Sequence, residues 1–378
     1  MNGSTPLSTS PLRGEVVYIY AFDVAYEMKR EPVATLLGQP VAQFVVDTSK
    51  RSPRQLFFYR PQMVRLPPLE REGPRGQLRL EPTIKLLPVG AISITIRVPF
   101  EADRLEDLVV FHDLRFTDGT WLYDEVRGLA EKARQELAAH YVRPVPQLGE
   151  EEAYTAFCIR GPIKAADGGS ISAEKWLEAN RRSMAALLTE ENEPARLSEQ
   201  ETIESTGKYF SYYESDIVII DWDAAIVLDE QRYFDEVLYV MELANLQLAE
   251  LEAYDRMLDD AVEKSYRDVA IARRLGRLRT GTVQRELREF RIDLARLSDE
   301  LQNITKFLGD WHLARIYQGL AQRFHLSDWH HGIGQKIRTM DELYQLLRTE
   351  QTNRWMMILE LTIVGLFILD VVLLFMGK

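Results

Sequence analysis

The chain has 378 residues, 46% of them apolar, and 58 acids against 46 Lys and Arg give a net charge of -12. That length admits about two domains, and the negative balance disfavours a general nucleic-acid binder, DNA included, because phosphate is repelled. The one cysteine, Cys158 in AYTAFCIRG, excludes an internal disulfide and reads as a buried structural thiol in a reducing compartment.

Residues 1–13 are polar and rich in Ser and Pro, which reads as a disordered tail, and MNGSTPLSTSPLRGE has no apolar core and so does not read as a signal peptide. EVVYIYAFDVA comes next. Tyr18, Tyr20 and Phe22 fall on one face and Val17, Ile19 and Ala21 on the other, so both faces are apolar and a central strand is expected. QFVVDT and QLFFYRPQMVRL read as further strands. In AISITIRV, Ile92, Ile94, Ile96 and Val98 alternate with Ser93, Thr95 and Arg97, the period of a strand. RLEDLVVFHD is ambiguous, and WLYDEVRGLAEKARQELAAHYV is helical. Residues 14–146 are therefore expected to form an α+β domain ending in a linker at RPVPQLGEEE.

A second small α+β unit is expected over 147–229. It holds the strand AYTAFCI, the turn DGGS, a helix around Trp176, a capping-box start at Ser198 and Glu201, and short strands at Tyr209–Tyr213, Ile217–Ile220 and Ala224–Leu228. From 230 to 354 the period changes to that of a helical stalk. Val237, Met241, Ala244, Leu248, Leu251, Leu258 and Val262 recur at steps of four and three, with Asp255 in one slot. Leu287 to Leu308 repeats the pattern, and so do Ile333, Ile337, Met340, Tyr344 and Leu347. Breaks are expected at Gly276, Thr280-Gly281, Gly309-Asp310 and Ser327-Asp328. The last helix has no Gly or Pro between Gln335 and Gly365, so it can run unbroken into the apolar C-terminal segment.

That segment is RWMMILELTIVGLFILDVVLLFMGK. From Trp355 to Met376 it has the length needed to cross a bilayer core of about 30 Å, and it reads as one transmembrane helix; the bland alternative is an oligomerisation helix buried in a soluble core. Arg338, Arg348 and Arg354 precede it and Lys378 alone lies beyond, so the positive-inside rule places the N-terminal bulk in the cytoplasm, or an organelle matrix, with the anchor in the inner membrane.

The C-terminal half resembles the family of the required-for-meiotic-nuclear-division proteins. The resemblance is carried, over roughly 205–378, by DIVIIDW (216–222), DEVLYVMELANLQLAELEAYDRML (235–258), REFRIDLARLSDELQNITKFLGDWHLARIY (288–317) and LELTIVGLFILDV (359–371). It implies a single-span, homo-oligomeric membrane protein; the mitochondrial members sit on the inner membrane and support translation of organelle-encoded proteins. It implies no catalytic residue. Residues 1–200 match no recognised family pattern.

Glu360 and Asp370 in the apolar run are about 15 Å apart along a helix and about 80° apart around it. An acid in the bilayer costs a few kcal/mol, so the bland reading puts one at the interface and one in a helix–helix contact, and the sharper reading lines an oligomeric cation path with them. Trp355 is expected at the interface, and Tyr344 and Leu347 on the assembly seam. Arg273, Arg274, Arg277 and Arg279 form a basic stretch suited to anionic lipid or ribosomal RNA, or to salt bridges with the acidic helix 235–263. His312, His325, His330 and His331 lack the spacing of three or four that two ligands on one helix need, so packing and capping are expected rather than a metal. No P-loop, dinucleotide fingerprint, nucleophile elbow or zinc signature is present, and no cofactor is implied.

The expected fold is thus α+β: an N-terminal α/β-type head with mixed sheets and a C-terminal long-helix stalk continuing into one transmembrane helix, 355–376. The expected function is a non-catalytic, membrane-anchored, homo-oligomeric scaffold or assembly factor that touches the bilayer and a membrane-protein or ribosomal partner. The alternatives are a subunit of a cation channel or transporter, and an enzyme whose site lies in residues 1–200.

Overall fold

A computed structural model of the chain describes residues 11–29, 31–44, 61–145, 147–164, 169–275, 292 and 311–376. It is α+β, with a large mixed sheet in the N-terminal part and helices in the C-terminal part. Its strands are β1 (Leu12–Asp23), β2 (Ala25–Met28), β3 (Thr35–Leu36), β4 (Gln39–Pro40), β5 (Ala42–Gln43), β6 (Gln62–Arg65), β7 (Leu69–Gly73), β8 (Gly76–Leu86), β9 (Ala91–Ala102), β10 (Tyr141–Pro144), β11 (Glu152–Arg160), β12 (Tyr209–Phe210), β13 (Ile217–Ile220) and β14 (Ala224–Asp229). Its helices are α1 (Leu122–Glu136), α2 (Ala173–Leu188), α3 (Glu199–Thr206), α4 (Phe234–Leu275), α5 (Trp311–Arg323) and α6 (Leu326–Met376). The ambiguous RLEDLVVFHD is a 3-10 helix, Leu105–Phe111.

The chain forms two compact units, Met1–Glu250 with Leu301–Ser327 and Leu251–Glu300 with Asp328–Lys378. In the first, the strands join in the order β12-β13-β14-β11-β1-β9-β8-β6-β5, with β7 paired on β8. β11 and β14 run parallel, and the other neighbours are antiparallel. Strands from both sides of the expected linker RPVPQLGEEE share this sheet, since β9 and β11 flank β1, and Arg143 and Pro144 at its start belong to β10, which pairs with β2.

β1 takes the central place because neither of its faces tolerates water. Tyr18, Tyr20 and Phe22 pack with Ile92, Ile94, Ile96 and Val98 in a core completed by Leu122, Val126, Ala130 and Ala133 of α1 and Trp176 and Leu177 of α2. Tyr18 carries its polar tip into this core by donating a hydrogen bond to the Phe111 carbonyl. α2 and α3 start where Ser172 and Ser198 cap them, each hydroxyl accepting from a backbone N–H three residues on. At α3 the reciprocal half of the box has a different partner: the Glu201 carboxylate accepts from Ser205 Oγ at 3.1 Å.

The other face of the sheet is covered too. Ala21, Leu87 and Ala91 pack with Tyr239, Leu243, Leu246 and Ala249 of α4, and α5 lies on β12 and β13 with Gly319 against the Phe210 ring. Ser93 and Thr95, the polar positions of AISITIRV, are therefore buried.

In the second unit the C-terminal part of α4 lies beside the first turns of α6. Lys336 sits between Asp255 and Asp259 at 2.7 and 2.6 Å. The acid in a heptad slot is thereby satisfied among the buried Leu251, Leu258, Ile333, Ile337 and Met340. Burial pulls the Lys336 pKa down, but hydrogen bonds and attraction from Asp255 and Asp259 hold it above the ordinary lysine value. α6 runs unbroken from Leu326 to Met376, so Ser327 and Asp328 lie in its first turn and the break falls at His325, whose φ is 51°. The breaks at Gly276, Thr280-Gly281 and Gly309-Asp310, and the heptads from Leu287 to Leu308, lie outside the described residues.

Gly14 leaves no room for a side chain: a Cβ there would stand 1.9 Å from the Cys158 carbonyl oxygen. Gly14→Ala is expected to destabilise the protein by about 2 kcal/mol or more, as overpacking against backbone does. Gly128, inside α1 with open space around it, provides the contrast. Gly128→Ala should stabilise by about 0.5–1 kcal/mol through helix propensity. Urea midpoints of the two variants in one detergent should move in opposite directions.

Candidate functional site

Two places concentrate unusual chemistry. The first is the end of α6. Trp355–Leu373 is 19 residues long with a mean hydropathy of 2.4, and none of it is buried. Trp355 is 71% exposed and Phe367 69%. An apolar helix of a folded soluble core would hide such side chains. Glu360 and Asp370 lie in this stretch and are exposed. The Thr362 hydroxyl donates to the Ile358 carbonyl at 2.7 Å, so its proton is already engaged within the helix. Tyr344 and Leu347 are on α6 and Arg273 and Arg274 on the last turn of α4, with their side chains outside the description; Arg277 and Arg279 lie outside the described residues.

The second place is the sheet face beneath α4. Strand register lays its polar residues out in rows. Glu81 pairs across with Arg97, Thr83 with Thr95, and Lys85 with Ser93. On the next strand Arg65 stands opposite Thr83 and Met63 opposite Lys85. α4 supplies counter-charges from its first turns. Glu242 accepts from both the Lys85 ammonium and the Ser93 hydroxyl, and all three residues are buried. The Lys85 ammonium also lies 4.2 Å from the centre of the Phe44 ring. Arg97 reaches Glu15 at 3.0 Å and also bonds Asp235.

The electrostatics of this face come from its dryness. Burial pushes the Glu15 carboxyl above its ordinary value, with Arg97 pulling the other way. Burial lowers the Arg97 pKa, but Asp235 and Glu15 outweigh it and the net shift is upward. Cys158 sits opposite Glu15 on β11. Its thiol is pushed well up by burial, with Glu15 adding to the effect, and Cys158 is buried as expected.

Two of the four candidate histidines pack on aromatic rings. His325 stacks on Trp222 with ring centres 5.1 Å apart, and His312 is buried with its ring 5.5 Å from Tyr212. Beside them Arg323 bonds Asp221 and reaches Glu204 at 3.1 Å, with the Trp222 ring 5.7 Å away. These contacts fix the end of α5 to the turn between β13 and β14.

Sequence reasoning missed Lys85, Arg97, Asp235 and Glu242. A signal was available: Glu236, Glu242, Asn245, Gln247 and Glu250 interrupt an otherwise apolar stretch of α4, and all five are buried. A helix with polar residues at buried positions must face other polar groups, and the alternate residues of AISITIRV are such groups.

The fold and these sites define an α+β protein with a mixed-sheet head, a helical C-terminal part, and one helix long and apolar enough to span a membrane. Residues 13–235 match the family model described as "Uncharacterized protein MJ0711, N-terminal domain", and the chain belongs to that family. The match runs from β1 to the second residue of α4 and so takes in the whole sheet. The chain is similar to "Uncharacterized protein MJ0711" of Methanocaldococcus jannaschii, at 27% identity over 222 residues. That is 59% of this chain and 65% of the relative, so the match spans less than two thirds of the relative's length. No solved structure matches the chain. Relatives are thus found for the half in which the sequence alone suggested none, and they form a family of uncharacterised proteins.

The buried pair yields a prediction. Lys85→Met leaves Glu242 charged without its main partner and is expected to destabilise the protein by about 3–5 kcal/mol. The double change Lys85→Met with Glu242→Leu should recover most of that loss, because both charges are gone. Equilibrium unfolding of the two variants and the wild type checks this: a double variant no more stable than the single would show that the pair is not the unit of stability.

Proposed function

We propose that the protein is a non-catalytic, membrane-anchored, homo-oligomeric scaffold or assembly factor. Its head is held at the cytoplasmic face of the inner membrane by the Trp355–Leu373 segment and serves membrane-protein synthesis or membrane organisation. The observation that carries this reading is the apolar end of α6, 19 residues long and entirely unburied. A helix buried inside its own soluble domain would hide these side chains. The resemblance over 205–378 adds the single span, the homo-oligomer and support of translation. The basic stretch Arg273 to Arg279 gives this reading a contact for anionic headgroups or ribosomal RNA.

Deleting residues 353–378 should move the protein from carbonate-washed membranes to the soluble fraction; retention on the membrane would refute the anchor.

A second reading, a subunit of a cation channel or transporter, is favoured by Glu360 and Asp370 alone. The two separate in vesicles. In the scaffold reading, cation flux stays at the empty-vesicle baseline for the wild type, Glu360→Leu and Asp370→Leu. Asp370→Leu also inserts at least as well, because a costly group is gone, and self-associates less tightly by about 0.6 kcal/mol. A robust wild-type current that either substitution removes would replace the scaffold with the channel.

A further inference from the structure

The head contains a cavity of about 390 Å³ between the polar sheet face and the first turns of α4, within the size range of small-molecule sites. Four cations line it, Arg65, Arg79, Lys85 and Arg97, against three acids, Glu81, Asp235 and Glu242. Three of those cations are engaged: Lys85 by Glu242, Arg97 by Asp235 and Glu15, and Arg79 by Glu81 at 3.0 Å. Arg65 has no hydrogen bond or ion pair from its side chain among the described residues. Glu15 stands behind Arg97 and outside the lining, and counting it makes the cluster neutral. Recognition therefore rests on the one guanidinium still available rather than on a net field.

Arg65 does not stand alone. Cross-strand register continues from it through Thr83 to Thr95, one residue on each of β6, β8 and β9. Both threonines line the cavity, and neither hydroxyl has a hydrogen-bond partner among the described residues. A guanidinium and two free hydroxyls in one row across three adjacent strands match a single planar or tetrahedral anionic group. Among its charged residues the wall also carries an apolar patch, Phe44, Leu66 and Leu238. A free inorganic ion would leave that wall against water.

We propose that this cavity binds a small organic monoanion, its charged group on Arg65, Thr83 and Thr95 and its apolar body against Phe44, Leu66 and Leu238. Because the walls include the first turns of α4, which continues as one helix to Leu275, occupancy would stabilise the beginning of the helix that leads out of the head. The site stands whether or not the protein is a scaffold.

The test uses the full-length chain in phosphatidylcholine nanodiscs and ¹⁹F NMR of 4-fluorobenzoate, with empty nanodiscs as the baseline and neutral 4-fluorobenzamide as the isosteric control. Saturable binding of the benzoate is expected, weaker by about tenfold or more for the amide and for Arg65→Ala, as loss of a charge-assisted contact requires. Thr83→Val with Thr95→Val should weaken it further while leaving the circular dichroism spectrum unchanged. Arg65 is exposed, so its replacement leaves the fold intact, and unchanged wild-type and Arg65→Ala unfolding midpoints without ligand check that. Absence of saturable benzoate binding to the wild type, equal binding of the amide, or undiminished binding by Arg65→Ala would each overturn the proposal.

Discussion

A sheet whose two faces are both covered cannot leave a charged side chain unpaired. The head is organised around that constraint. β1 is apolar on both sides and takes the middle. One face then fills with Tyr18, Phe22, Ile94 and their partners from α1 and α2. The opposite face is apolar around Ala21 and Ala91 and polar around Ser93, Thr95 and Arg97. α4 can lie on it only because Asp235 and Glu242 meet Arg97 and Lys85. Isolated burial of any of these charges would cost several kcal/mol, so the ion pairs set the register of α4 on the sheet as much as its leucines do.

The same constraint explains where free chemistry remains. Every acid lining the cavity is committed to a cation, and the hydroxyl of Ser93 is committed to Glu242. The groups left over are Arg65, exposed on β6, with Thr83 and Thr95 in the same cross-strand row. In the second unit the logic repeats on a smaller scale: Asp255 occupies an apolar slot of the heptad pattern, and Lys336 is the residue that makes this tolerable.

Much of the fold was legible in the sequence because periodicity reports burial directly. β1, β9, β11, α1, α2 and the strands from Tyr209 to Asp229 stand where period two or period 3.6 put them. Ser198 caps its helix as its type requires, and the long uninterrupted terminal helix comes from the lack of Gly and Pro. The polar face was not legible. Alternation in AISITIRV looks the same whether Ser93, Thr95 and Arg97 meet water or meet a distant helix, and only the long-range packing of α4 decides between them. Lys85 and Glu242 are 157 positions apart, a separation at which residue type alone carries no pairing information. The family shown over 13–235 covers the head, and the relatives found give no support to the meiotic-division resemblance expected over 205–378.

The proposal that the helical part anchors the charge-paired head turns on whether Trp355–Leu373 enters a bilayer. A nitroxide placed at Val364, in a Cys158→Ser background and in nanodiscs, reports it by paramagnetic relaxation. A membrane span requires high accessibility to oxygen and low accessibility to a water-soluble nickel chelate at Val364, with the nickel accessibility rising at Trp355. A label at Val364 open to nickel, or shielded from both reagents as inside a protein core, would contradict it.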